Sequence, residues 1–316
     1  MTLFQFTYHN HHIMKRRNFI QRSLAAASTL AIPSVVYGSP GKVTADAKPF
    51  RLNYAPHDGM FKNHGGTDFV DQIKFMHDQG FRAIEDNGML GRSLADQEKI
   101  GKTLSSLGMT MGVFVVEGGD NWKVSLTTGQ QDFKDTFVKT CKQSVECAKR
   151  VNAKWMTVVP GFYEHKLPID IQTANVIDAL RRGAEIFEPH GLVMVLEPLS
   201  DTPELFLRSP HQSYMICKAV NSPSCKILYD MYHMQRNEGN IIPNMLQCWD
   251  EIAYFQIGDN PGRNEPGTGE MNYKNIFKQI HQKGYTGVMG MEHGNSKKDK
   301  EGELAVISAY RDSDSF

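Results

Sequence analysis

The stretch Ala253-Tyr-Phe-Gln-Ile-Gly-Asp-Asn-Pro-Gly-Arg-Asn-Glu-Pro-Gly-Thr-Gly-Glu270 turns within a few residues from an apolar run into a loop crowded with charge and glycine. Residues 253–257 are aromatic, β-branched or small and too few for a helix, so they read as a buried strand ending at Gln256 and Ile257. The loop that follows is not core. Pro261, Gly262, Pro266, Gly267 and Gly269 oppose regular structure, and Asp259, Arg263, Glu265 and Glu270 are costly to desolvate unless each finds a partner. Asn272 is placed to cap a helix over Tyr273–Lys283, which gives the order strand, polar loop, helix.

That order recurs outward through the chain. Strands are expected at Arg51–Ala55, Phe81–Glu85, Thr110–Val116, Lys154–Val159, Leu192–Glu197, Lys226–Tyr229, Tyr254–Ile257 and Gly287–Met291. Helices are expected at Thr67–Gln79, Leu94–Leu107, Gln131–Val151, Ile171–Pro189, Gln212–Ala219, Ile242–Trp249 and Tyr273–Lys283, with Gly80 and Gly108 at helix stops. The strands are continuous apolar runs, as a parallel sheet covered on both faces requires. Eight such units between residue 50 and the C-terminus match the usual (β/α)8 barrel of roughly 250 residues. A doubly wound open sheet is the competing architecture, but Pro56-His-Asp-Gly-Met60 after the first strand contains no GxGxxG turn.

The last four strands end in oxygen-bearing side chains. Glu197 follows Leu196, Asp230 follows Tyr229, Gln256 follows Phe255 and Glu292 follows Met291. Their spacing is about one β/α unit, roughly 30 residues, and in a barrel such positions converge at the C-terminal mouth. Carboxylates gathered without a counter-charge repel one another, so this set is best explained by a divalent cation. All four supply oxygen, which favours Mg2+ or Mn2+, with Co2+ tolerated, over thiolate-bound zinc.

Val195-Leu-Glu-Pro-Leu199, Tyr229-Asp-Met-Tyr-His-Met-Gln235, the Gln256–Glu270 loop and Gly290-Met-Glu292 together resemble the hydroxypyruvate isomerase family. That family sits within the xylose isomerase-like TIM barrels, which also contain ketose 3-epimerases. The resemblance spans about Phe50 to Glu292, and Arg263-Asn-Glu-Pro-Gly-Thr-Gly-Glu270 is its most specific part. It implies that Glu197, Asp230, Gln256 and Glu292 hold the metal, that Glu197 and Glu292 double as an acid/base pair, and that His233 and Arg263 bind substrate oxygens. The expected activity is metal-dependent interconversion of aldose and ketose, or of keto acid and aldehyde, through an enediolate. Returning the proton to the opposite face would make it an epimerase. Elimination next to a carbonyl would make it a lyase or hydrolase on a keto sugar or 3-keto glycoside; a non-catalytic carbohydrate-binding barrel is a third reading, and an endonuclease of the same barrel group, which would want more His ligands at strand ends and a basic surface, is the last. Pro198-Leu-Ser-Asp-Thr-Pro-Glu204 departs from the Asn-rich stretch associated with hydroxypyruvate isomerases.

Other features are read as secondary. His57 and Glu85 follow the first two strands and are candidates for the mouth. Phe114 and Trp122 are candidates to cover a substrate, Gly267-Thr-Gly269 reads as a structural turn, Lys297–Glu303 as a solvated charge run, and Arg311–Phe316 as a frayed tail.

Composition excludes several classes. With 316 residues, 40% hydrophobic and 22% charged, the chain can build a sizeable core, and a formal net charge of +0 argues against a polyanion such as nucleic acid as main partner. The five cysteines show no CxxC spacing and read as buried thiols. Lys15-Arg-Arg-Asn-Phe-Ile-Gln-Arg22, followed by a modestly apolar Ser23–Tyr37, resembles a twin-arginine export signal. Residues 1–38 are therefore expected to be a cleavable signal, 39–49 a linker and 50–316 the barrel, with Met14 a credible start and a periplasmic or exported destination. The apolar run is too short for a membrane span. A small-molecule sugar or keto acid is the expected partner, and homo-oligomerisation is left open.

Overall fold

A computed structural model describes residues 47–316, so the expected signal segment and most of the linker lie outside the described residues. Among the described residues no helix is long and apolar enough to cross a membrane.

The strands are β1 (Asn53–Ala55), β2 (Ala83–Ile84), β3 (Thr110–Met111), β4 (Phe114–Val115), β5 (Trp155–Val158), β6 (Val193–Leu196), β7 (Cys225–Asp230), β8 (Ile252–Gln256) and β9 (Val288–Gly290). Seven of them form a curled parallel sheet in the order β1-β9-β8-β7-β6-β5-β4, and β2 pairs with β3. Parallel bridges from His57 to Glu85 and from Met111 to Ala153 join the two sheets around the ring. Along the strands, side chains alternate between two apolar clusters, as the period of two requires. Ala55, Ala83, Val113, Val195, Leu228, Tyr254 and Val288 fill the interior. Tyr54, Ile84, Met194, Ile227, Phe255 and Met289 pack outward against the helices. Both faces are buried, which explains the unbroken apolar runs in the sequence.

The third strand, expected as one run, is two. The Tyr254 phenol crosses the barrel interior and fills the space where a Cβ on Gly112 would stand. Its oxygen accepts the Val113 N–H at 3.3 Å, so this backbone group is satisfied by a side chain and the strand is interrupted there.

The main helices are α1 (Phe69–Asp78), α2 (Leu94–Leu107), α3 (Gln131–Val151), α4 (Ile169–Phe187), α5 (Pro210–Val220), α6 (Met231–Asn237), α7 (Ile241–Gln247), α8 (Tyr273–Gln282) and α9 (Lys300–Ser313). Asp68, Ser93, Ser209 and Asn272 cap α1, α2, α5 and α8, each accepting a backbone N–H of the first turn. Gly108 closes α2 in the left-handed conformation. All five cysteines are free and buried.

Two elements correct the sequence reading. The short helix α6 starts directly at the end of β7, because the Asp230 carboxylate caps it by accepting the Tyr232 N–H at 2.8 Å. The charge run, exposed from Lys297 to Glu301 as expected, leads into α9, which also takes in residues 311–313 of the supposed frayed tail. Glu303 turns inward to accept the backbone N–H groups of Asn63 (2.7 Å) and His64 (3.0 Å), and Asp314 accepts the Arg51 N–H and the Tyr54 hydroxyl. Val306 and Tyr310 bury the apolar side of this helix, so its charges are the outer face of an amphipathic element.

Packing of α2 on α3 rests on one small residue. Gly101 is buried in α2, and a Cβ there would run into the Arg150 carbonyl oxygen. Gly101→Ala should destabilise the barrel by about 1–3 kcal/mol through overpacking, despite the roughly 1 kcal/mol that alanine gains over glycine in a helix. Equilibrium urea unfolding checks this, and an unchanged or raised midpoint would show that the two helices are not in tight contact.

Candidate active site at the barrel mouth

The carboxylates at the strand ends meet. One ligand atom each from Glu197, Asp230, His233 and Glu292 lies within 4.8 Å of the others. Glu197 immediately follows β6, Asp230 closes β7, and Glu292 lies just past β9. Each element delivers its acid by the same means, an inward position at the C-terminal end of a buried strand. Burial and then the neighbouring Glu292 and Asp230 charges hold the Glu197 carboxyl well above the usual carboxylate range. Burial likewise raises Glu292 to about 7, against the opposing pull of Arg263.

Among the described residues, the guanidinium that bonds the cluster belongs to the loop that opened the sequence reading. Arg263 Nη2 donates to Asp230 Oδ2 at 2.9 Å and to Glu292 Oε2 at 2.5 Å, and its plane lies over the Tyr232 ring. The loop is built around Asp259, which is fully buried and accepts the N–H groups of Gly267 (2.9 Å), Gly269 (2.9 Å) and Met271 (3.1 Å). Those glycines therefore serve the protein's own carboxylate, in keeping with the structural turn expected of Gly267-Thr-Gly269. Arg263 itself has a φ of 50°, a left-handed conformation uncommon for a non-glycine residue. It is pinned there by its N–H to the Asp259 carbonyl at 2.7 Å and by the Asp259 N–H to the Asn264 carbonyl at 2.8 Å. Glu265 is satisfied by the Ser296 backbone and hydroxyl.

His233 comes from α6 and is buried. Its Nδ1 accepts the Ser200 N–H at 3.2 Å, so in the neutral ring the hydrogen is on Nε2. That Nε2 faces Asp230 Oδ2 at 3.5 Å, Asp201 Oδ2 at 3.8 Å and Glu197 Oε1 at 3.9 Å. Burial lowers its pKa, which favours the neutral ring. A ring nitrogen that carries hydrogen is a donor, so His233 is arranged to hold an oxygen and not a metal, although it lies within the cluster.

Gln256 closes β8 opposite Asp230 in register. Its amide has two different ends. Nε2 donates to Glu85 Oε1 at 3.0 Å, whereas Oε1 is buried with no partner among the described residues. An orphaned buried acceptor on the strand end in register with Asp230 fits a cation with hard oxygen ligands.

Glu85 is placed differently from the mouth position the sequence suggested. It points into the barrel, where Gly290 leaves the room its carboxyl fills, and Tyr254 Oη donates to its Oε2 at 2.8 Å. Desolvation is the first cause of its raised pKa, with the Glu292 charge second. His57 is also away from the cluster, its ring bonded to the Asp58 and His293 carbonyls. Phe114 is core, while Trp122 is 53% exposed and lines the cavity over the carboxylates. Among the lining residues that sequence reasoning passed over are Asn87 and Thr157. Their signal was polarity out of place, Thr157 inside the buried run Trp155–Val158 and Asn87 just past β2.

Comparison with known proteins gives the family and the fold. The chain is 28% identical over 256 residues to hydroxypyruvate isomerase of Escherichia coli strain K12, covering 78% of this chain and 95% of that protein. It is 26% identical over 240 residues to 2-oxo-tetronate isomerase of Pectobacterium atrosepticum, covering 74% and 89%. The crystal structure of an AP endonuclease, family 2, from Brucella melitensis superposes with a TM-score of 0.70 at 21% identity, covering 81% of this chain and 98% of that one, a likeness of fold alone. The profile of the xylose isomerase-like TIM barrels matches residues 73–310, three-quarters of the sequence and nearly the whole ring of strands, and the chain belongs to that family.

Proposed function

We propose that the protein is a metal-dependent isomerase of the hydroxypyruvate isomerase type, an intramolecular oxidoreductase that moves a proton between neighbouring carbons of an α-hydroxycarbonyl compound. The observation that carries this reading is the pair of carboxyls, buried Glu197 and half-buried Glu292, that line one cavity, each raised above the usual carboxylate range first by desolvation. A carboxyl poised near the working pH serves as a proton acceptor and then as a donor. The names of the two isomerases with which the chain aligns support the same class.

Glu197, Asp230, Gln256 and Glu292 would hold a divalent cation, Mg2+ or Mn2+ with Co2+ also accommodated, since all four offer hard oxygen ligands. When bound, the cation supplies Lewis acidity to the carbonyl and adjacent hydroxyl, which acidifies the C–H between them. The protein's own groups do the rest. One of Glu197 and Glu292 takes the proton, the other returns one to the neighbouring carbon, and the enediolate between these events is held by donors. His233 Nε2–H is one such donor and the Arg263 guanidinium the other.

The tests separate binding from proton transfer. Asp230→Ala should lower metal content with little change in apo stability beyond the loss of the α6 cap, about 1 kcal/mol. Metal analysis beside urea unfolding reads both, and unchanged occupancy removes Asp230 from the ligand set. Glu292→Gln and Glu197→Gln keep an oxygen but have no useful basicity. Each should still bind metal while turnover and solvent-deuterium exchange fall by roughly 10²-fold or more. Near-parent exchange in either variant would make that residue a ligand only.

The twin-arginine motif leads us to propose export as well. Arg16→Lys with Arg17→Lys should leave folded precursor in the cytoplasm, detected by fractionation, and normal export of the double variant excludes that route.

A further inference from the structure

Glu85 is a carboxyl that the proton transfer does not use, set inside the barrel at a desolvation cost that an apolar side chain would not incur. Its partners show what it does there. Tyr254 Oη donates to its Oε2 at 2.8 Å and Gln256 Nε2 donates to its Oε1 at 3.0 Å, so each oxygen takes one donor from side chains two residues apart on β8. The direction of these bonds is fixed at the far end. The Val113 N–H, a backbone group that can only donate, occupies the Tyr254 oxygen at 3.3 Å, and the phenolic hydrogen goes to Glu85. Glu85 is therefore an acceptor on both sides, and the amide end that it draws is the end carrying hydrogen. Gln256 Oε1 stays buried and without a partner among the described residues.

A missing side chain makes room for this arrangement. Gln256 stands in the ladder between Asp230 on β7 and Gly290 on β9, and the Glu85 carboxyl fills the space that a Cβ on Gly290 would take. The residue type matters as much as the position. A neutral amide in place of this carboxyl would bring hydrogens of its own among the donors, and either the phenol or the Gln256 amide would have to turn over. A carboxylate accepts from both. By polarising the amide N–H it also makes the carbonyl oxygen of the same amide a better ligand.

Resting on the cation-dependent reading above, we propose that Glu85 and Tyr254 are positioning residues for Gln256, and that the run Val113 N–H, Tyr254 hydroxyl and Glu85 carboxyl fixes which end of the Gln256 amide is offered to a divalent cation. Neither residue is itself a ligand. Partners of this kind, one layer behind the ligands, commonly carry roughly 10- to 100-fold in metal affinity.

The test titrates the purified, metal-stripped protein with Mn2+ alone, following heat and the electron paramagnetic resonance signal of the free ion, so that no substrate enters. Glu85→Gln should weaken Mn2+ binding by about tenfold or more. Tyr254→Phe leaves the Glu85 charge in place and should weaken it by about fivefold, the worth of one hydrogen bond. Gln256→Met keeps the volume at 256 and removes the amide. In that background Glu85→Gln and Tyr254→Phe should each change the affinity by about twofold or less, because the residue through which they act is gone. Urea unfolding of each metal-free variant establishes that it is folded.

Parent-like Mn2+ affinity in folded Glu85→Gln overturns the positioning role while leaving the cation site intact, and if that variant does not fold, Tyr254→Phe decides on the same terms. Weakening that persists in full in the Gln256→Met background makes Glu85 a charge acting at a distance and overturns the role as well. A parent chain that takes up no Mn2+ removes the cation site itself, and the positioning role falls with it.

Discussion

Mutual repulsion among Glu197, Asp230 and Glu292 is the constraint to which the mouth of this barrel answers. Three separate strand ends bring these acids within reach of one another at largely buried positions, where like charges interact more strongly than in bulk water. The chain's own remedy is Arg263, whose guanidinium bridges two of the three. One guanidinium offsets one charge, and raised carboxyl pKa values absorb part of the remainder. The balance still lacks positive charge, and a divalent cation is the simplest group to supply it.

Placing that guanidinium needs a rigid loop, and rigidity comes from a second buried acid. Asp259 organises the glycine-rich return by accepting three backbone N–H groups, which leaves its carboxylate without any call on a cation. Arg263 is held at positive φ by the short hairpin that Asp259 closes with Asn264. The strain of that conformation is sustained because the backbone bonds on both sides and the two carboxylates at the side-chain tip determine it together.

Much of this is legible in the sequence alone. Eight apolar runs, each followed by a helical period, give the barrel, and acids after the last strands give the mouth, because strand ends are fixed by local pattern. What escaped reading depends on contacts across the ring. Nothing local to Thr110–Val116 says that a tyrosine from the opposite side will take the Val113 N–H and break the strand. Nothing local to Glu85 says that Gly290, more than two hundred residues later, leaves space for its carboxyl inside the barrel. The charges of Lys297–Glu303 likewise hide a helix whose buried Glu303 is satisfied only by residues 63 and 64.

Glu85 also gives Gln256 a direction. An isolated glutamine amide is free to present either end to a site, and only the oxygen end can ligate a cation or accept a hydroxyl. With the Glu85 carboxyl accepting from Nε2 and held in turn by the Tyr254 hydroxyl, the oxygen end is the one left free, on a residue whose neighbour in register is Asp230. His233 obeys the same logic through Ser200, whose backbone N–H occupies Nδ1 and leaves the donor end toward the carboxylates. The polarity of the mouth is thus set one layer below it. Groups that never face the cavity decide which atoms there accept and which donate, and this is why the residue types at the strand ends, read alone, identify the cluster but not the direction of its hydrogen bonds.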